Sequence, residues 1–220
     1  MASRPLIGLL LLLVSLGAGP GAAFAAECVA LDDFSRGRVG EFPPDWKPRK
    51  DSGRPVYSIR EEGGRRFLRA IARRIGIQAG REVAWNLEAY PILAWSWRPI
   101  EFPTNADERK SSANDSAVSV YAVFPTSSVS VRSVKYVWSR VVPAGTHLTS
   151  SGGSTQVRVL RSSAQAGQWV DEQVNVLEDF QKYFGGNEVP KPGGIAVLTD
   201  SDDTRSSAQG DYAGFRVCKP

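Results

Sequence analysis

The sequence predicts an all-β protein: a two-sheet antiparallel β-sandwich, jelly-roll-like, with one short helix near 178–184. Three observations predict it. Apolar and polar residues alternate with period two in roughly ten short segments. The spacers between these segments are rich in Gly, Pro, Ser and Asn, the residues that turns require. The two cysteines, Cys28 and Cys218, stand near opposite ends of the chain that follows residue 25, so pairing them would set the first and last strands side by side. A closed barrel would satisfy the same three observations and is the alternative architecture.

The chain opens with a segment that is not read as part of the fold. Arg4 is positive, Leu6 to Leu16 is an almost unbroken apolar run, and Ala23-Phe24-Ala25 places small residues where a signal peptidase reads. A membrane-spanning helix needs about 20 apolar residues, and Gly17 to Gly21 interrupt this run early. Residues 1–25 are therefore expected to be a cleaved signal peptide. Residues 26–220 are expected to form a single β-sandwich domain in the periplasm or outside the cell. That compartment is oxidising, which favours a Cys28–Cys218 disulfide. On the chain-entropy model, closing so long a loop would stabilise by about 4–5 kcal/mol.

The elements follow in order. Cys28 to Phe34 reads as the first strand, Phe67 to Ala72 as the second, and Gly76 to Leu87 as a long third with Val83, Trp85 and Leu87 on one face. Ile92 to Arg98 is a strand bracketed by Pro91 and Pro99, with Leu93, Trp95 and Trp97 on one side. Ala117 to Phe124 alternates again, followed by Val134 to Trp138, Gln156 to Ser162 and Trp169 to Val176. Leu177, Phe180 and Phe184 recur at helical spacing ahead of Gly185, which predicts a helix over 178–184. Ile195 to Thr199 and Gly214 to Cys218 complete the set.

Composition excludes much enzyme chemistry. The chain has one histidine, His147, in a loop, and no H-E-x-x-H or G-x-S-x-G segment. Pairing the cysteines would leave no thiol nucleophile. The net charge of +4 is modest, but Arg60, Arg65, Arg66, Arg69, Arg73, Arg74 and Arg81 crowd one stretch. For an exported chain such a stretch suggests an acidic glycan or an anionic envelope surface rather than nucleic acid. Its plainer reading is a set of solvated outer strand faces.

Two clusters could carry function. Asp200-Ser201-Asp202-Asp203-Thr204 follows an apolar strand, and in an extended chain Asp200 and Asp202 point the same way with Cα atoms about 6.6 Å apart. Asp200, Asp202 and Asp203 could hold a structural Ca²⁺. The same carboxylates could serve as acid and base in sugar cleavage, or simply cap turn amides. The second cluster is aromatic. Among six tryptophans, Trp95 shares a face with Trp97, and Tyr136 shares one with Trp138. Flat rings on a sheet can stack on the apolar faces of sugars, which makes Trp97, Arg98, Tyr136 and Trp138 the candidate ligand contacts. The rival reading places the same rings in the core.

Five segments occur in a fixed order: Trp95-Ser96-Trp97-Arg98, Asn114-Asp115-Ser116-Ala117, Tyr136-Val137-Trp138-Ser139, Asp200-Ser201-Asp202-Asp203-Thr204 and Gly210-Asp211-Tyr212-Ala213-Gly214-Phe215. In this order the chain resembles a family of exported bacterial proteins, domain of unknown function 3047, over about Asp32 to Val217. Asn114 stands where a second aspartate is expected, and Ala213-Gly214 replaces a plain strand. The resemblance implies a bacterial envelope location and carries no established activity. More loosely, Asp32-Asp33-Phe34 and Asp211-Tyr212 to Phe215 are similar to the ends of β-sandwich carbohydrate-binding modules, which implies Ca²⁺ near the paired termini.

The leading expectation is non-catalytic glycan binding. Its rivals are a glycoside hydrolase or lyase using Asp200 or Asp202, and a structural envelope protein that contacts an anionic surface through Arg60 to Arg81.

Overall fold

The structure, a computed structural model, describes residues 27–163 and 165–220. The expected signal peptide, 1–25, lies outside the described residues. Thirteen strands and one α-helix follow in chain order. They are β1 (Cys28–Asp32), β2 (Lys47–Pro48), β3 (Tyr57–Glu62), β4 (Arg65–Arg73), β5 (Ala79–Glu82), β6 (Ile92–Glu101) and β7 (Val118–Pro125). Then come β8 (Val131–Ser139), β9 (His147–Ser150), β10 (Thr155–Ser162), β11 (Val170–Asn175), α1 (Val176–Phe184), β12 (Gly194–Leu198) and β13 (Ser207–Cys218).

The strands form two stacked sheets, a jelly-roll-like β-sandwich. The first runs β11-β6-β13-β4-β3, with β1 also paired to β13. The second runs β2-β5-β12-β7-β8-β10-β9. The ladders are antiparallel except β8 with β10, which lie parallel because β9 turns back before β10 enters the sheet. Cys28 pairs with Cys218 in the β1–β13 register, and a disulfide joins them with Cα atoms 4.0 Å apart. The two ends of the described chain are thus neighbours, as the cysteine positions predict.

The core lies between the sheets. Alternation turns Leu93, Trp95 and Trp97 of β6, Val118, Val120, Ala122 and Phe124 of β7, and Val134, Tyr136 and Trp138 of β8 inward into one cluster with Tyr212, Phe215 and Val217 of β13. The Trp97 and Trp138 ring centroids meet at 6.0 Å and those of Trp95 and Tyr136 at 5.7 Å, bridging the two sheets. This corrects the aromatic reading. Trp97 and Tyr136 are 0% exposed and Trp138 is 4% exposed, and all three rings lie in the core between the sheets, so none offers a face to a sugar. Sheets packed about 10 Å apart need large side chains to fill the gap, and these rings fill it. Arg98 points to the opposite face, yet it is only 8% exposed and its guanidinium is held by Asp211 and Glu62.

Other differences have local causes. The long strand expected over 76–87 is only the four-residue β5, which ends at Glu82 opposite Gly194, the first residue of its partner β12; beyond it Asn86 accepts from the amides of Glu88 and Ala89 and turns the chain. β3 was hidden by its charged end, Arg60 to Glu62. It joins β4 through Gly63-Gly64, both at positive φ, the conformation a two-residue hairpin turn demands. β13 begins at Ser207 rather than Gly214. A bulge, with Gly214 at φ 62°, breaks its period, so only the part beyond the bulge reads as a strand. The helix starts two residues before the expected 178–184, where Asn175 caps it by accepting from the amide of Glu178.

Candidate functional site

The same alternation that fills the core sends every second residue of the second sheet outward. Tyr121 of β7, Lys135 of β8, Val157 of β10 and Leu198 of β12 line a cleft of about 470 Å³ on that outer face. Gln78 and Asn114 contribute from the flanking loops, and Asp200 closes one side just past the end of β12.

Asp200 is placed from the core. The Tyr212 hydroxyl donates to the carbonyl of Leu198 at 2.8 Å and pairs with the Thr199 hydroxyl at 2.9 Å. Thr199 donates in turn to the carbonyl of Ala117 at 2.8 Å, and the Asp200 amide donates to the carbonyl of Ser116 at 2.9 Å. These bonds tie the end of β12 to the segment that carries Asp115. The β13 backbone comes in closely behind: a Cβ on Gly210 would run into Val118 and the Ala117 carbonyl.

Asp115, Asp200 and Asp202 each present a carboxylate oxygen, and these oxygens lie within 4.8 Å of one another. Asp115 Oδ2 accepts from the Thr204 amide at 2.8 Å and its hydroxyl at 2.5 Å, and Oδ1 accepts from the Asp203 amide at 3.3 Å. The turn that carries Asp202 is therefore pinned to Asp115. Gly76 completes the wall. A Cβ there would collide with the carboxylates of Asp200 and Asp202.

The electrostatics follow from burial. Burial, reinforced by a hydrogen bond with Asp202 and the negative charges of Asp115 and Asp202, pushes the Asp200 carboxyl up to about 9, against the pull of the Lys135 ammonium. Burial acts in the other sense on Lys135, but Tyr121, Asp200 and Glu108 together outweigh it and raise the ammonium above its ordinary value. Glu108, which accepts from the Ser139 hydroxyl at 2.6 Å, is also shifted upward, chiefly by burial.

Of the acidic residues expected from sequence, Asp200 and Asp202 come together. Asp203 instead supplies its amide to Asp115. Asp115 was missed as a site residue. It stands in a separate segment, and its only signal was the Asn114-Asp115-Ser116-Ala117 segment noted for the family resemblance. His147 stacks on Tyr183 at 4.1 Å and pairs with Gln156 at 2.8 Å. In the arginine-rich stretch, Arg66 pairs with Glu61, Arg69 with Asp211 and Arg81 with Asp32. Among the described residues, no helix is long and apolar enough to cross a membrane.

No curated protein matches the chain. Among solved structures, it is similar to endoglucanase 3 from family GH12 of Trichoderma harzianum, at 7% identity and a TM-score of 0.44, covering 90% of this chain and 100% of that one. It is similar to a non-crystalline cellulose specific carbohydrate-binding module, CBM28, at 10% identity and a TM-score of 0.32, covering 79% of this chain and 86% of that one. It is also similar to an agarase, AgWH50C, at 10% identity and a TM-score of 0.39, covering 88% of this chain but spanning only 24% of the agarase. The cleft and the carboxylate cluster both fall inside residues 45–216, which match the model for a protein of unknown function (DUF3047), and the chain belongs to that family.

Proposed function

We propose that the protein is an exported carbohydrate-binding domain that holds a glycan along the outer face of its second sheet without cleaving it. The observation that carries this reading is the lining of the cleft. Tyr121, Val157 and Leu198, each only 5–7% exposed, form the floor of the cleft beside the polar groups of Gln78, Asn114 and Lys135. A pyranose presents a matching mixture of apolar C–H faces and hydroxyl edges. Export rests on the apolar leader, and the disulfide is at home in an oxidising compartment.

The carboxylate geometry supports binding over cleavage. A glycosidase pair flanks the scissile bond with carboxyl groups about 5–9.5 Å apart. Here the three carboxylate oxygens crowd within 4.8 Å, and Asp115 is committed to the amides of a turn.

The test is calorimetric titration of soluble neutral β-glucans and uronic-acid polymers into the parent and Tyr121→Ala. Circular dichroism would establish that both are folded. Binding by the parent to at least one class, weakened about ten-fold or more in Tyr121→Ala, is expected. Silence across the panel, or equal binding by both proteins, would remove the proposal. Release of reducing ends would remove its non-catalytic part.

A further inference from the structure

We propose that Asp115, Asp200 and Asp202 bind a calcium ion at the side of the cleft. This inference stands whether or not the cleft takes a glycan. Among the described residues, these three form the one group of metal-ligating side chains near enough to share an ion. They come from two distant stretches of chain, so the fold itself, and not a run of acidic sequence, brings them together.

The independent observation is at Asp200. The residue is 8% exposed, and its Oδ1 is buried with no hydrogen-bond donor. Buried carboxylate oxygens almost always have a partner. This oxygen and Asp202 Oδ1 both pack against Gly76, where a Cβ would lie 2.1 and 2.5 Å from them, so the glycine is what lets the two carboxylates approach one another. The fold thus holds an unsatisfied acceptor and two further carboxylates at one point.

Charge leads to the same conclusion. Three carboxylates stand together here, and the Lys135 ammonium lies in the same cleft as Asp200. Like charges this close repel strongly where water is excluded. A divalent cation relieves that repulsion directly. The donors are all oxygen, which selects a hard cation over zinc or copper. Calcium accepts 6–8 oxygens in flexible geometry at about 2.3–2.6 Å, whereas magnesium requires a near-ideal octahedron. Carboxylates on two separately anchored segments suit the more tolerant ion. Asp200 and Gly76 also line the cleft, so the remaining coordination positions open toward it and are available to water or to a bound hydroxyl.

The experiment uses the purified protein stripped with EDTA. Thermal unfolding is followed with no added cation, with CaCl₂ at about 5 mM, a concentration that fills typical extracellular sites, and with MgCl₂ at the same concentration. Calcium is expected to raise the midpoint by about 5 °C or more, and magnesium by clearly less. Asp202→Asn, a change at an exposed position, is expected to lose most of the calcium shift. Asp200→Asn serves as the second variant should the first fail to fold, with the same loss expected. No calcium shift in the parent would overturn the proposal and leave a proton shared between Asp200 and Asp202 as the account of the cluster. An equal calcium shift in the variants would place the ion elsewhere, and an equal response to magnesium would overturn the assignment to calcium.

Discussion

Arg69 stands directly opposite Asp211 in the β4–β13 ladder and donates two hydrogen bonds, at 2.8 and 2.9 Å, to a carboxylate that is 0% exposed. Arg98 is the register partner of the same Asp211 on β6 and donates to it from the other side at 2.7 and 2.9 Å. A central strand is thus locked to both neighbours by one buried charge. Asp211→Asn would leave two guanidinium groups facing each other with only the exposed Glu62 carboxylate, on Arg98, as counter-charge. The expected cost is about 3–5 kcal/mol of folding stability, read as a lower midpoint in urea unfolding. A change near zero would mean that the pairs behave as surface ion pairs do.

The Cys28–Cys218 bridge closes a loop of 190 residues and fastens β1 to the end of β13. Loop closure over that distance restricts the unfolded chain more than a short loop would. Replacing both cysteines by serine is expected to cost about 2–5 kcal/mol. Denaturant unfolding of parent and double variant, each with and without reductant, would measure it. Reductant should lower the parent toward the double variant and leave the double variant unchanged.

Much of the fold was legible because alternation states which side chains share a face. Trp97 and Tyr136 were correctly grouped with Trp95 and Trp138. The pattern does not say which face is wet, and here the inner face took these four rings, while Tyr121 lies on the outer face of the second sheet and Phe67 on that of the first. β3 was illegible because Arg60, Glu61 and Glu62 stand in succession, with Glu61 on the face that Tyr57 and Ile59 turn inward. At the site, Asp200 and Asp202 lie two residues apart and could be read together. Asp115 reaches them through the bonds of Thr199 and Asp200 to the 116–117 segment and of Asp203 and Thr204 to its own carboxylate, long-range relations that no local pattern encodes.

The burial of Trp97 carries a prediction of its own. Trp97→Ala should open a cavity against Trp95 and Trp138 and cost about 3–5 kcal/mol. Because the ring does not reach the cleft, any ligand affinity measured on the folded fraction should stay within about two-fold of the parent, within the range of sites that act independently. A specific loss of affinity at full folding, seen by calorimetry, would return the ring to the binding surface and contradict the packing.

Glu108 gives a prediction in pH. Its carboxyl is held above the ordinary value of 4.5, first by burial and further by the charge of Asp107, with the Ser139 hydrogen bond and the Lys135 ammonium pulling the other way. A carboxyl with a raised folded-state pKa binds its proton more tightly in the native than in the unfolded chain. Its contribution is therefore most favourable at low pH and is lost as pH rises from the ordinary glutamate range through the folded value. Glu108→Gln removes the titration and keeps the bond, because a carboxamide oxygen can accept from a Ser139 hydroxyl whose oxygen already receives the amides of Val141 and Val142. With a chelator present, so that no cation adds to the curve, the melting midpoints of parent and variant should lie closest near pH 4. The variant should pull ahead as the pH is raised to 8. Parallel midpoint curves across that range would show that Glu108 pays no burial penalty when it ionises.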